Sequence, residues 1–278
     1  MSVYSCRTVA DFGVLCNGEE WLDTDGNPIN AHGGGVLYHH GTYYWYGEHK
    51  SDFTTAAMVG ITCYSSKDLR QWKNNGVVLS VVDSVGADLE RGCVMERPKV
   101  IYNETTKQFV MWFHLELKGQ GYSAARTAVA VSDSPKGPFR YLHSMRVNPD
   151  VLPIDMSDKQ WGDMMQLNPK NYKKWWTKKW YAAVEKGLFL KRDISTGQMA
   201  RDMTLFKDED GKAYHIYSSE ENMTLHIAEL SADYCSHKGK YVRVAPGGMN
   251  EAPTIFKHSG TYWMITSGCT GWEPNAAR

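Results

Sequence analysis

Four segments of the chain repeat one pattern, and that repetition leaves few folds open. They are "GVLYHHGTYYWYGE" (residues 35–48), "KVIYNETTKQFVMWFH" (99–114), "MTLFKDEDGKAYHIYSS" (203–219) and "PTIFKHSGTYWMITSG" (253–268). Each places an apolar strand, a short polar turn and a second strand opening on a small or aromatic residue. Each therefore predicts a β-hairpin, with Gly41, Gly211 and Gly260 supplying the turn and a longer Asn-Glu-Thr-Thr-Lys-Gln loop in the second segment. A second strand pair follows each of the first three: "GITCYSSKDLRQWKNNGVVL", "TAVAVSDSPKGPFRYLHS" and "LHIAELSADYCSHKGKYVRV". Four strands per unit, repeated along a chain, is the signature of a β-propeller. Counting from the turns, Tyr43, Phe109, Ala213 and Tyr262 are counterparts.

The interval between the second and third counterparts is the longest and holds an insertion, residues 145–201. Within it, "NPKNYKKWWTKKWYAAVEKGLFLKRD" predicts a short amphipathic helix, basic on one side and Trp-rich on the other. A helix or lid packed on the propeller is preferred there over a nucleic-acid or membrane surface. The 31 basic and 31 acidic residues cancel, which removes the usual attraction for polyanions. The fourth unit stops after its first hairpin, and an unclosed ring would expose strand edges. The chain is therefore expected to be C-terminally incomplete; residues 1–30 are the other source of strands for a half blade.

Six cysteines are scattered without C-x-x-C pairs, against a zinc site and a dense disulfide framework, with room left for one or two bridges. No run is long and apolar enough to span a membrane, and no signal peptide is visible at the N-terminus. The 16 Tyr and 10 Trp suit stacking on sugar faces, and equally suit a β-rich core.

In a propeller the first strands of the units converge on one axis, so residues at their mouths share a pocket. The first hairpin opens on Asn30 and His32, without an acid. The second opens on Glu96, the third on Asp202 and the fourth on Glu251. Acids aligned by a repeat are expected to converge, whereas merely solvated acids could fall anywhere in a loop. Converging carboxylates on a neutral, aromatic-rich β-scaffold suit glycoside hydrolysis, which needs one acid kept protonated and a second group to activate water or attack. A like charge nearby raises the pKa of one member.

These segments resemble glycoside hydrolase family 43, a family of five-bladed β-propellers. "RDMTLFKDEDGKAYHIYSS" is similar to the family's aspartate strand and "NEAPTIFKHSGTYWMITSG" to its general-acid strand. The nearer resemblance is to the exo-β-1,3-galactanase branch, through "WLDTDGNPINAHGGGVLYHHGTYYWYGEHK", "ERPKVIYNETTKQFVMWFH", "SSEENMTLHIAEL" and "TSGCTGWEPNAAR". It implies an all-β, five-bladed propeller whose last part is missing from this chain, residues 1–278 forming a single catalytic domain. Glu251 would be the general acid, Asp202 would orient it and keep its pKa raised, and Glu96, a third catalytic residue, would bind the terminal galactose and be needed for activity. Glu48 would bind sugar hydroxyls, and Tyr122, Asn222 and Thr270 would line the same pocket. Trp272 would be a stacking platform or an ordinary core side chain.

Typical members carry a general-base aspartate on the first blade, which "NAHGGG" lacks, as does the galactanase branch. The resemblance implies instead a glutamine on the last blade, acting through its imidic tautomer and expected beyond Arg278. The implied function is exo-hydrolysis of β-1,3-galactan, the arabinogalactan backbone, with inversion at the released galactose. The alternatives are a non-catalytic galactan-binding propeller, or an α-L-arabinofuranosidase or β-xylosidase, which the missing aspartate disfavours. The partner expected is a poly- or oligosaccharide, with no nucleic acid. No cofactor is required. A structural calcium is allowed, since some family members hold one on the axis, but Asp208-Glu209-Asp210-Gly211 reads as a turn rather than a calcium loop. Relatives of this kind are usually exported, so a secreted or periplasmic location is expected from the family alone.

Overall fold

A computed structural model of the chain describes residues 18–51, 54–271 and 273–278. The first hairpin is β1 (His32–His39) and β2 (Thr42–Glu48), followed by β3 (Gly60–Ser66) and β4 (Lys73–Ser80). The second unit is β5 (Val94–Asn103), β6 (Gln108–Glu116), β7 (Arg126–Ser132) and β8 (Arg140–Met145). The third is β9 (Met203–Lys207), β10 (Ala213–Ser219), β11 (Thr224–Leu230) and β12 (His237–Val244). Each unit is an antiparallel four-stranded sheet in chain order, and β13 (Asn250–His258) with β14 (Thr261–Gly268) forms a two-stranded sheet. The fold is all-β, unit by unit as the repeat predicts. Before the first sheet, Leu22 and Pro28 make an isolated bridge, and residues 1–17 lie outside the described residues.

The tight hairpins close where two successive residues take positive φ: His40 and Gly41 at 46° and 72°, Ser259 and Gly260 at 49° and 77°. That pair of angles matches the right-handed twist of the strands it joins. Register counted from the turns corrects one counterpart. Tyr38 faces Tyr43, Tyr102 faces Phe109 and Lys257 faces Tyr262, whereas Phe206 faces Tyr214. Tyr214, not Ala213, is the equivalent position, because Ala213 closes the longer Asp208–Lys212 turn onto Lys207.

Two apolar cores lie between successive sheets. Tyr46, Ile61, Met95, Met111 and Phe113 fill one, between the first and second sheets. Trp112, Val129, Tyr217 and Tyr241 fill the other, between the second and third. The second core also takes in the insertion. Where one helix is expected, the structure has α1 (Asp158–Met165), a 3₁₀ turn at Pro169–Tyr172, α2 (Lys178–Glu185) and α3 (Leu188–Asp193). Ser157 and Gln160 form a capping box at α1, and Thr177 caps α2 by accepting from the Trp180 N–H. Gly187, at φ 98°, ends α2; a Cβ there would sit 2.9 Å from the Met164 sulfur. Trp180, Val184, Phe189 and Leu190 are buried, so the insertion's apolar face belongs to the core, while Trp175 and Trp176 remain exposed. Among the described residues no helix is long and apolar enough to cross a membrane.

The four first strands β1, β5, β9 and β13 lie in sequence against one another. Three of them break register near their starts, between His32 and Gly35, Glu96 and Lys99, and Glu251 and Thr254. Each break is a β-bulge carrying a residue at positive φ: Gly33 at 56°, Arg97 at 55° and Ala252 at 45°. A bulge bends its strand and re-aims the neighbouring side chain. The mouths of these three strands are set by this device.

Candidate active site

The bulges turn Glu96 and Glu251 into one cavity of about 350 Å³. Its lining includes His32, Glu48, Glu96, Arg97, Tyr122, Asp202, Asn222 and Glu251. Thus six sequence candidates, Glu48, Glu96, Tyr122, Asp202, Asn222 and Glu251, meet in one place. Thr270 is exposed next to the lining residue Gly271, its hydroxyl donating to the Glu273 carbonyl at 2.8 Å. Trp272 lies outside the described residues.

The alignment of the acids needs a correction. Glu96 and Glu251 are register equivalents, facing His114 and Ser267, and their counterpart in the first unit is His32, facing Glu48. Asp202 is offset. It precedes Met203, which faces Tyr217 as Lys99 faces Trp112 and Thr254 faces Ile265. It therefore stands where Pro98 and Pro253 stand. The third unit reaches the pocket by a different residue of the strand mouth, which a count from the turn alone misaligns.

Each carboxylate has its own environment. Glu251 accepts from Asn222 Nδ2 at 2.8 Å. Burial first, and then the negative charge of Asp202, raise its pKa above the ordinary carboxyl value. Asp202 receives Arg97 Nε on Oδ1 at 3.1 Å and Nη2 on Oδ2 at 3.0 Å, a two-point pair, and the Ala252 N–H on Oδ2 at 3.0 Å. The bulge residue that follows the acid thus also fixes the aspartate beside it. Glu48 pairs with Lys50 Nζ at 2.5 Å, yet burial dominates and its pKa is raised.

Glu96 is opposite in sense. Burial would raise it, but hydrogen bonds from His114 Nδ1 at 3.2 Å and the Tyr122 hydroxyl at 2.8 Å hold it below the usual range. His114 is buried between two acids, its Nε2 2.8 Å from Glu116 Oε1. Desolvation opposes its charge, but the two carboxylates outweigh it and raise its pKa to about 9. Glu116 Oε2 in turn accepts the Ala125 N–H at 2.8 Å.

Asn222 comes from an unusual loop. Glu220, Glu221 and Asn222 all take positive φ, at 53°, 60° and 62°. Such a left-handed turn of L-residues is strained and needs support. Arg243 supplies it through Nε and Nη2 to the two Glu220 oxygens, at 2.7 and 2.8 Å. Arg192 and Arg201 pair with Glu221.

Arg97, His114, Glu116 and Arg243 escape a sequence reading that looks only for acids at strand mouths. The signals present are an Arg directly after Glu96 and a His inside an apolar second strand, where an unpaired imidazole would be costly.

A calcium ion does not fit the channel between the first strands. Among the described residues no group of three or more His, Cys, Asp or Glu side chains is arranged to hold a metal. The channel between the first strands already contains the Lys99 ammonium, 3.0 Å from the Gly33 carbonyl oxygen. Calcium would need six to eight oxygens there.

The arrangement brings together a half-buried carboxyl of raised pKa, an arginine-bound aspartate beside it, and two further carboxylates with polar partners around a cavity of about 350 Å³. The sequence profile of glycosyl hydrolases family 43 matches residues 167–277. A family 43 β-1,3-galactosidase solved with galactodeoxynojirimycin is 63% identical, the match covering 95% of this chain and 76% of that one, with a TM-score of 0.92. An exo-β-1,3-galactanase from Clostridium thermocellum is 39% identical over 95% of this chain and 48% of its own, with a TM-score of 0.74. Among curated proteins, a β-D-galactofuranosidase of Aspergillus niger is 31% identical over 80 residues, 29% of this chain and 23% of that protein. The chain thus spans under a quarter of that curated relative and about half of the Clostridium enzyme.

Proposed function

The chain belongs to glycosyl hydrolase family 43, and on that premise we propose that it is a glycosidase that removes galactose from the non-reducing end of β-1,3-galactan with inversion. The observation that carries this reading is Glu251: a half-buried carboxyl with raised pKa, beside the Arg97-bound Asp202, at the wall of the cavity. A carboxyl whose pKa is raised, first by burial and then by the charge of Asp202, is suited to protonate a glycosidic oxygen.

Glu48, Glu96 and Tyr122 supply acceptors and a hydroxyl to the galactose in the pocket, and Asn222 fixes the rotamer of Glu251. In this reading water attacks from the face opposite Glu251, with acid and base separated by about 6.5–9.5 Å. Glu96, Asp202 and Glu48 are all engaged by cationic or hydrogen-bonding partners, and no glutamine is among the lining residues. Activation of the water therefore falls to a group outside this set. The relatives' names support galactan as the substrate class: one is a β-1,3-galactosidase and another an exo-β-1,3-galactanase. On the same reading the sheets are blades of a five-bladed propeller, residues 1–278 are one catalytic domain, and 145–201 are an insertion in it.

The test is hydrolysis of β-1,3-galactobiose followed by proton NMR. The α-anomer of galactose should appear first, and initial release of the β-anomer would overturn inversion. A disaccharide that binds in calorimetry but survives long incubation would replace the hydrolase reading with a galactan-binding one.

A further inference from the structure

The glycine run Gly33-Gly34-Gly35, where a first-blade aspartate is expected in the wider family, is filled from a neighbouring strand. A Cβ at Gly35 would overlap Cδ of Lys99, and one at Gly33 would lie 2.7 Å from Glu48 Oε1. The Lys99 stem crosses β1 over Gly35, and its ammonium ends at backbone oxygens: Gly33 at 3.0 Å, Arg97 at 3.3 Å and Pro98 at 3.4 Å. Gly33 and Arg97 are the bulge residues of β1 and β5. One cation thus binds two of the three bulges that open onto the pocket.

The lining of the surrounding channel contains two cations, Arg97 and Lys99, and no acid; β13 contributes only Ala252, Pro253, Thr254 and Ile255. No salt bridge among the described residues reaches Lys99. Lys99 keeps some exposure toward the channel, but its ammonium is packed by protein, which lowers its pKa to about 7 against the pull of Asp202 and Glu48. Such a group is costly and needs a compensating role.

We propose that the Lys99 ammonium, held by the backbone oxygens of Gly33, Arg97 and Pro98, locks the bulges of β1 and β5 so that Arg97 meets Asp202. Lys99 is then a positioning residue. It acts through the Arg97 backbone on the Arg97–Asp202 pair, and through that pair on Glu251. This rests on the reading of Glu251 as proton donor.

The experiment compares Lys99→Met, Lys99→Arg and Lys99→Ala with the wild type on β-1,3-galactobiose. K99M keeps the stem and removes the charge, so kcat should fall by about 10- to 100-fold, the range for a misplaced catalytic group, with KM little changed. K99R should retain more activity than K99M. K99A should be rescued by ethylammonium and not by tetramethylammonium at equal ionic strength, because only the former can donate to the carbonyls. Wild-type kcat in K99M, or equal effects of the two ammonium salts on K99A, overturns the proposal; the K99R and K99A arms decide it if K99M does not fold. Hydrogen exchange separates the proposal from the proposed activity. Loss of protection at residues 32–35 and 96–99 in the Lys99 variants, with β10 and β11 unchanged, supports the lock even if the wild type hydrolyses nothing. Unchanged protection there sinks it.

Discussion

Glu96 and Glu251 have the same place in the repeat and opposite electrostatics, and the difference lies in their neighbours. Glu251 faces Asn222 and Asp202, and burial with the charge of Asp202 raises its pKa; Glu96 faces His114 and Tyr122, whose hydrogen bonds lower its pKa. Glu251→Gln should lower turnover of galactobiose by about 10²- to 10⁴-fold, the usual share of general acid catalysis. It should also remove the alkaline fall in kcat/KM that sets in as Glu251 ionises. A variant with wild-type turnover would remove Glu251 from the mechanism. His114 makes a separate prediction about stability. Its pKa is about 9 in the fold and 6.5 without the fold, so the folded state holds the extra proton. The stabilisation is full below pH 6.5 and is lost as pH rises through 9. Melting temperatures of the wild type should therefore fall over that window more steeply than those of His114→Gln. The variant should itself be destabilised by about 3–5 kcal/mol at neutral pH, because two buried carboxylates lose their shared cation. Urea unfolding at pH 7 measures this, and parallel pH curves for the two proteins would refute it.

At the scale of the strand, the bulge decides where a carboxylate points. The bulge residue of β13 is Ala252, whose φ of 45° an L-residue adopts only at a cost, and whose N–H binds Asp202. Ala252→Gly keeps that N–H and relieves the backbone. It should raise stability by about 0.5–1 kcal/mol in urea unfolding with kcat retained. A loss of stability would mean that the left-handed geometry is not imposed by the bulge. The hairpins themselves were legible, since apolar alternation and a glycine at the turn are local signals. The bulges were not, because nothing local separates a residue that widens a strand from one that continues it. That is why Asp202 was aligned with Glu96 and Glu251 although it sits at the register of Pro98 and Pro253.

Across the whole molecule, the site depends on parts far from it in sequence. Arg243 of β12 binds both oxygens of the buried Glu220, and also the carbonyls of Val184 and Glu185 at the end of α2. One side chain therefore joins the insertion, the third sheet and the left-handed loop that presents Asn222. Arg243→Met leaves Glu220 buried without its main cation. The expected cost is about 3–5 kcal/mol in urea unfolding, together with a fall in kcat as Asn222 loses its support. Destabilisation below 1 kcal/mol would show that Glu220 is satisfied without Arg243. The insertion is thus bound into the architecture through its buried face. The sequence favours a helix packed on the sheets, and Trp180 and Phe189 lie in the core.

The sequence by itself determined the hairpins, their repetition and the presence of acids at the strand mouths. Those follow from interactions between residues a few positions apart, which leave a period in the chain. Only the tertiary structure decided what each acid became. Asp202 meets Arg97 across 105 residues, and Asn222 meets Glu251 across 29. Protonation depends on the charges and desolvation gathered by such meetings, and these have no period along the chain. The same holds for Gly35, whose missing side chain gains its meaning only from the lysine that passes over it.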